Sequence, residues 1–183
     1  IGLKTTSTIM FGHLETPEHW AIHLLELRKQ QEATKGITEF VPLPFVHMEA
    51  PMYIRGLARK GPTWREALLM HAVSRLVLNP IIPNIQVSWT KLGPEGAAAA
   101  LNAGANDLGG TLMNESISRA AGSAHGEEFA PKQMDALINR INRSPCQRTT
   151  LYGEVPKERT IASYNAAPIT DVINRHAREY ARK

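Results

Sequence analysis

The sequence predicts an α/β fold of parallel strands joined by helices, forming half of a βα barrel. Strand-like and helix-like stretches alternate four times between the start of the chain and Asn142, the order that right-handed crossover connections impose on parallel strands. Polar and glycine-containing loops gather after the strands, where His13, Glu15, His47, Glu49, Lys91 and Asn114 fall. In a barrel, functional residues collect on the loops at the carboxyl ends of strands, which favours this architecture over an open sheet. A complete barrel usually needs about 250 residues, so four units in a chain of 183 residues make about half of one.

The first strand is read over Leu3 to Phe11, rich in β-branched residues and broken by Gly12. Thr16 is a candidate N-cap with Pro17 at the first helical position, and Trp20, Leu24 and Leu27 then recur at helical spacing to about Gln31. A second strand runs within Thr38 to His47 and is expected to end early, because Pro42 and Pro44 are awkward inside a sheet. The connection from Met48 to Pro62 is long for a βα loop and carries Tyr53, Arg55, Arg59 and Lys60, which marks it as a lid or an insertion.

Thr63 and Glu66 form a capping-box pair for the next helix, whose core face is predicted at Ala67, Met70, His71, Ser74 and Leu78. The third strand is read from Ile85 to Thr90, with Ile85, Val87 and Trp89 on one face and Gln86, Ser88 and Thr90 on the other. Pro94 opens an alanine-rich helix that stops at Gly104. Ala105 to Gly110 reads as the fourth strand and Pro131 to Asn142 as the fourth helix. Residues 1–143 therefore hold the four units, and residues 144–183 form a C-terminal extension. In that extension Thr149 to Gly153 is a strand or extended tail, and Ile169 to Arg182 a terminal helix.

The balance of Lys and Arg over Asp and Glu gives a net charge of +4. These residues are spread rather than gathered in one run, so no nucleic-acid partner is expected. No apolar run approaches the roughly 20 residues of a membrane span, and no signal-peptide pattern is present. No membrane partner is expected, and a cytoplasmic location is. The single cysteine, Cys146, has no partner for a disulfide or metal cluster and is given no role. The chain begins at Ile1 inside a strand-like run, as a fragment of a longer protein would.

Two constellations carry chemistry. The first two strands both end in His-x-Glu, His13-Leu14-Glu15 and His47-Met48-Glu49, groups that can act as acid and base or ligate a metal. Hydrogen bonding within the loops is the preferred reading, and no metal is assigned to this chain. The stretch from Asn106 to Gly122 joins two adjacent glycines to Thr111, Asn114, Glu115, Ser116, Ser118 and Arg119, a donor set suited to a polar, charged small molecule. Gln86 and Ser88 would face the barrel interior and are read as ligand contacts. Trp89 is read as packing. No serine elbow, Walker-type phosphate loop or dinucleotide fingerprint is present, and no catalytic residue is assigned.

The segments TSTIMFGHLETPEHW, TEFVPLPFVHMEAP, PNIQVSWTKLG, NDLGGTLMNESISRAAG and QRTTLYG together resemble the tyrosine-using half of the deazariboflavin (FO) synthases. These are radical S-adenosylmethionine enzymes of deazaflavin coenzyme biosynthesis. The resemblance implies a radical-SAM-type barrel of which this chain holds about strands five to eight. It also implies S-adenosylmethionine and a four-iron four-sulfur cluster as cofactors. The cluster's C-x-x-x-C-x-x-C ligands are absent here and are expected in the N-terminal half of the same barrel. The reaction implied takes hydrogen from tyrosine and joins the 4-hydroxybenzyl fragment to 5-amino-6-ribitylaminouracil. A further implied partner is the first FO synthase subunit or domain.

By the same resemblance, the superfamily's G-x-I-x-G-x-x-E pattern falls on Thr8, Met10, Gly12 and Glu15, matching at the last two, with His13 in the same loop. The Val41 to Phe45 run, with Pro42, Leu43 and Pro44, is similar to the segment bordering adenine in relatives. His47, Glu49, Gln86, Ser88, Thr111, Asn114, Glu115, Ser116 and Arg119 remain for the substrates. Two alternatives stand beside this. One is a radical enzyme of the futalosine route to menaquinone, which shares the GGT turn but differs at NESIS and where Arg119 stands. The other is a non-radical barrel lyase binding an anionic metabolite at Gly109 to Arg119.

Overall fold

The computed structural model describes residues 2–168. The helix expected over Ile169 to Arg182 lies outside them. Strand β1 (Thr5–Phe11) leads into helix α1 (Pro17–Thr34), and β2 (Ile37–Pro44) pairs with β1 in parallel, placing Thr8 beside Val41 and Phe11 beside Pro44. A short helix, α2 (Pro51–Ile54), interrupts the long connection before α3 (Trp64–Leu78). Then come α4 (Trp89–Asn102), α5 (Ile117–Ala120), α6 (Pro131–Arg140) and α7 (Lys157–Tyr164). This is a mixed α/β chain with a small parallel sheet.

The third and fourth expected strands shrink to parallel bridges, Phe40 to Ile85 and Gln86 to Asp107, so the order β1, β2, third, fourth is kept while the ladder is not. Pro42 and Pro44 account for the loss of pairing between β2 and the third segment. In a parallel strand alternate residues turn both backbone groups to the same neighbour. Phe40 donates its N–H to the Asn84 carbonyl and accepts from the Gln86 N–H, each at 2.9 Å. Residues 42 and 44 face the same way and, as prolines, have no N–H to give. Pairing toward the third segment therefore stops at Phe40, while the β1 side continues as far as Phe45 N–H to Phe11 carbonyl at 2.8 Å.

The expected strand over Ile85 to Thr90 is corrected at its far end as well. From Ser88 the backbone turns helical, with Lys91 and Leu92 N–H groups both donating to the Ser88 carbonyl. Gly93 (φ 70, ψ 175) breaks this turn before Pro94 begins the alanine-rich portion of α4. A residue before proline is excluded from helical backbone, which places the break there.

The expected helix starts hold. The Thr16 N–H donates to His19 Nδ1 at 3.1 Å at the head of α1. At α3, Thr63 N–H donates to Glu66 Oε2 at 2.6 Å, and Glu66 N–H returns to Thr63 Oγ1 at 3.2 Å. All five predicted core positions of α3 are buried. Phe40 packs with Leu24 of α1, Leu78 of α3 and Ile82, while Phe11 packs with Trp20, Ala67 and Met70. Ile85 and Val87 join Ala97, Ala100, Leu101 and Leu137 in the largest cluster. The helices thus cover one face of the strands, and Thr8, Met10, Val41 and Leu43 lie on the other by strand alternation.

The stretch Thr149 to Gly153 is a tight turn rather than a strand. Thr149 N–H donates to the Gly153 carbonyl and Tyr152 N–H to the Thr149 carbonyl, both at 3.0 Å, with Tyr152 at φ 62.

Candidate functional site

Three polar assemblies lie at the carboxyl ends of the parallel segments. The first is the loop after β1. Glu15 folds back on it, accepting from the N–H groups of Gly12, His13 and Leu14 and from Trp20 Nε1 at 2.8 Å. His13 Nδ1 lies 3.1 Å from the same carboxylate. Burial acts against the charged form, but the backbone donors led by Gly12 outweigh it and hold the Glu15 carboxyl down at about 2. The His13-x-Glu15 triplet is thus committed to hydrogen bonding within its loop, and among the described residues no three His, Cys, Asp or Glu side chains are grouped as metal ligands.

A pH prediction follows from Glu15. Its folded pKa lies below the ordinary 4.5, so its stabilising contribution is complete above that value and is lost as pH falls toward 2. Denaturation midpoints of the full-length parent are expected to drop between about pH 5 and pH 2, and Glu15→Gln should flatten that drop. An unchanged slope would show that the carboxylate does not carry it.

The second assembly centres on Asp107, buried at 8% exposure in the fourth segment. Its carboxylate accepts from Gly109 N–H at 2.8 Å, from an Arg148 Nη and from the Tyr152 hydroxyl, with Gln86 Nε2 at 3.4 Å. The Arg148 guanidinium lies 4.0 Å over the Tyr152 ring. Burial and then the Asp107 hydrogen bond push the Tyr152 phenol well above its usual range, so it stays a donor. Gln86, read as a ligand contact, has an internal partner here. Ser88, read likewise, has its Oγ 3.1 Å from Thr90 Oγ1. Arg148 and Tyr152 come from the QRTTLYG segment, a signal in the sequence to which no role was given.

The third is the loop after Gly109. The Thr111 carbonyl accepts from Phe129 N–H at 2.9 Å. Asn114 is exposed with φ 55, and Ser116 is exposed as the N-cap of α5. Both Glu115 oxygens accept from the Ser118 N–H, at 3.0 and 3.2 Å. Arg119 is ion-paired with Glu127 and reaches Asn114 Oδ1 at 3.4 Å. Much of the loop's polarity is therefore spent in holding its own shape.

Between these assemblies a cleft of about 340 Å³ opens beside the N-terminus of α3. It takes Pro44 and His47 from the expected set and adds Lys60, Trp64, Lys91 and His125. Lys60 belongs to the basic connection read as a lid, and Lys91 to the loops noted at strand ends. His47 stands edge-on to Tyr53, ring centroids 4.6 Å apart. The Glu49 N–H donates to the Ala121 carbonyl at 3.1 Å, tying this loop to the end of α5. The remaining expected residues lie elsewhere. Thr8 and Met10 are exposed on β1 with half-buried Leu43 beside Met10, whereas Pro42 is buried on the opposite face and Gly12 is buried at the end of β1.

Parallel segments with polar loops at their carboxyl ends place the chain in the mixed α/β class, built on a small parallel sheet. The chain belongs to the family described as the CofH/MqnC C-terminal region, whose model matches residues 34–161. It is 52% identical over 163 residues to the FO synthase of Streptomyces avermitilis, an alignment covering 89% of this chain and 19% of that protein. It is also 52% identical over 155 residues to the 5-amino-6-(D-ribitylamino)uracil–L-tyrosine 4-hydroxyphenyl transferase of Methanopyrus kandleri, covering 85% of this chain and 42% of the relative. The FO synthase of Mycobacterium leprae is 51% identical over 152 residues, 83% of this chain and 18% of its own. The chain thus spans about a fifth of the length of the two FO synthases and about two fifths of the transferase. No described helix is long and apolar enough to cross a membrane.

Proposed function

We propose that this chain is the C-terminal half-barrel of a tyrosine-dependent FO synthase, one that transfers the 4-hydroxybenzyl fragment of tyrosine to 5-amino-6-(D-ribitylamino)uracil. The observation that carries this reading is identity of about half over most of the chain to proteins bearing those names. The parallel order of four segments, with helices on one face and loops at the carboxyl ends, supports the half-barrel. The futalosine-route enzyme shares the family description. The relatives named above favour the FO synthase, and their names give no support to a non-radical lyase.

The chain's one cysteine, the exposed Cys146, cannot furnish the ligands of a four-iron cluster. Those belong to the N-terminal half of the parent. S-adenosylmethionine fits the residues present. Thr8 and Met10 stand exposed with half-buried Leu43 beside Met10, an apolar surface with a hydroxyl suited to a nucleobase and ribose. When bound, it supplies the radical that takes hydrogen from tyrosine. This chain's own task is to orient the substrates at the strand ends and to exclude water.

The outer edge of β1, unpaired among the described residues, is the natural seat of a further strand of the parent. The full-length parent, purified anaerobically and reconstituted with iron and sulfide, is expected to consume tyrosine only when the ribitylaminouracil is supplied. Residues 1–183 alone should form no iron–sulfur chromophore and turn over no tyrosine. Consumption of a futalosine-type substrate in place of tyrosine, or turnover by the isolated half, would overturn the reading.

A further inference from the structure

The cleft beside α3 carries charge of one sign. Its titratable lining consists of His47, Lys60, Lys91 and His125, with no Asp or Glu among the residues that form its wall. Lys91 is half-buried, and its Nζ donates to the Ser118 hydroxyl, a neutral acceptor, at 3.0 Å. Burial lowers its pKa against the pull of Glu115, whose two oxygens already accept from the Ser118 N–H. An ammonium has three donors, and a buried cation gains most from an anion that takes the others. The same wall holds the exposed indole of Trp64 and the ring of Phe45, and a volume of about 340 Å³ is in the range of small-molecule sites.

We propose that this cleft binds the carboxylate of an aromatic amino acid. Lys91 pairs with the carboxylate, Lys60 adds charge at the rim, and Trp64 borders the ring. The assignment rests on the FO synthase reading for the identity of the amino acid, tyrosine. It concerns a different set of residues from the loop of Gly109 to Arg119, whose Glu115 and Arg119 are engaged internally.

The test is equilibrium binding to the full-length parent with three probes: L-tyrosine, tyramine, which lacks the carboxylate, and 4-hydroxyphenylacetate, which lacks the amine. The wild type should prefer tyrosine over tyramine by about tenfold or more, as a charge-assisted pair in a partly buried site implies. Lys91→Gln should abolish that preference without weakening tyramine, and Lys91→Arg should restore most of it. Lys60→Gln, on an exposed side chain, should reduce the preference severalfold and serves as the readout if Lys91→Gln does not fold. If the reaction were other than proposed, the wild type would still favour 4-hydroxyphenylacetate over tyramine with the same lysine dependence, leaving the site standing. Unchanged probe preferences in folded Lys91→Gln or Lys60→Gln protein would overturn it whatever the reaction.

Discussion

Asp107→Ala is expected to destabilise the full-length parent by about 3–5 kcal/mol, the range for removing one partner of a buried ion pair. The carboxylate is 8% exposed and gathers an N–H from Gly109, the Arg148 guanidinium and the Tyr152 hydroxyl. Alanine leaves the Gly109 N–H, the Tyr152 hydroxyl and one Arg148 Nη unmatched, and Arg148 keeps a charge whose remaining contacts are the Thr149 carbonyl at 3.0 Å and the face of Tyr152. Tyr152→Phe removes a single hydroxyl and should cost about 1–2 kcal/mol. Urea midpoints of the two variants decide the matter. If the alanine variant matched the phenylalanine variant, the ion pair would contribute nothing beyond one hydrogen bond.

Gly12→Ala is the second large effect, of at least about 3 kcal/mol from backbone strain and overpacking together. Gly12 has φ +93, and a Cβ there would strike the backbone and ring of Pro62, with the Gly61 carbonyl carbon 2.9 Å away. Backbone cannot swing aside as a side chain does. The segment it strikes, residues 60 to 64, forms one wall of the cleft, so the affinity for tyrosine should fall along with the melting temperature. Gly56→Ala is the control, since Gly56 has φ +70 but nothing within 4 Å of the added carbon. It should cost only the strain, about 1 kcal/mol. Equal losses at the two positions would mean that the contact with Pro62 is not tight.

The helices were legible because their signals are local. Thr16 with Pro17 and Thr63 with Glu66 announce helix starts within four residues, and the spacing of Ala67, Met70, His71, Ser74 and Leu78 gives the buried face of α3. The third strand was read too long because part of what limits it is not in its own sequence. Ile85 and Gln86 have fitting strand character, but the prolines that deny them a ladder sit more than 40 positions earlier on β2. Helices α2 and α5, at four residues each, are too short to show a period.

The site divides in the same way. The hydrogen bonding of His13 and Glu15 within their loop was readable from the two side chains and the glycine beside them. The roles of Arg148 and Tyr152 were not, since their partner lies 41 and 45 positions away. The basic cleft escaped notice because its lysines come from separate loops, with no run of charge to mark it.

Pro42 and Pro44 have one more effect. The parting of the second and third segments beyond Phe40 is thus governed by two missing amide hydrogens rather than by the bulk of any side chain. A residue with an N–H at position 42 would restore a donor toward the third segment, and the rung it adds is expected to lengthen the sheet at the cost of the freedom those two segments now have to separate.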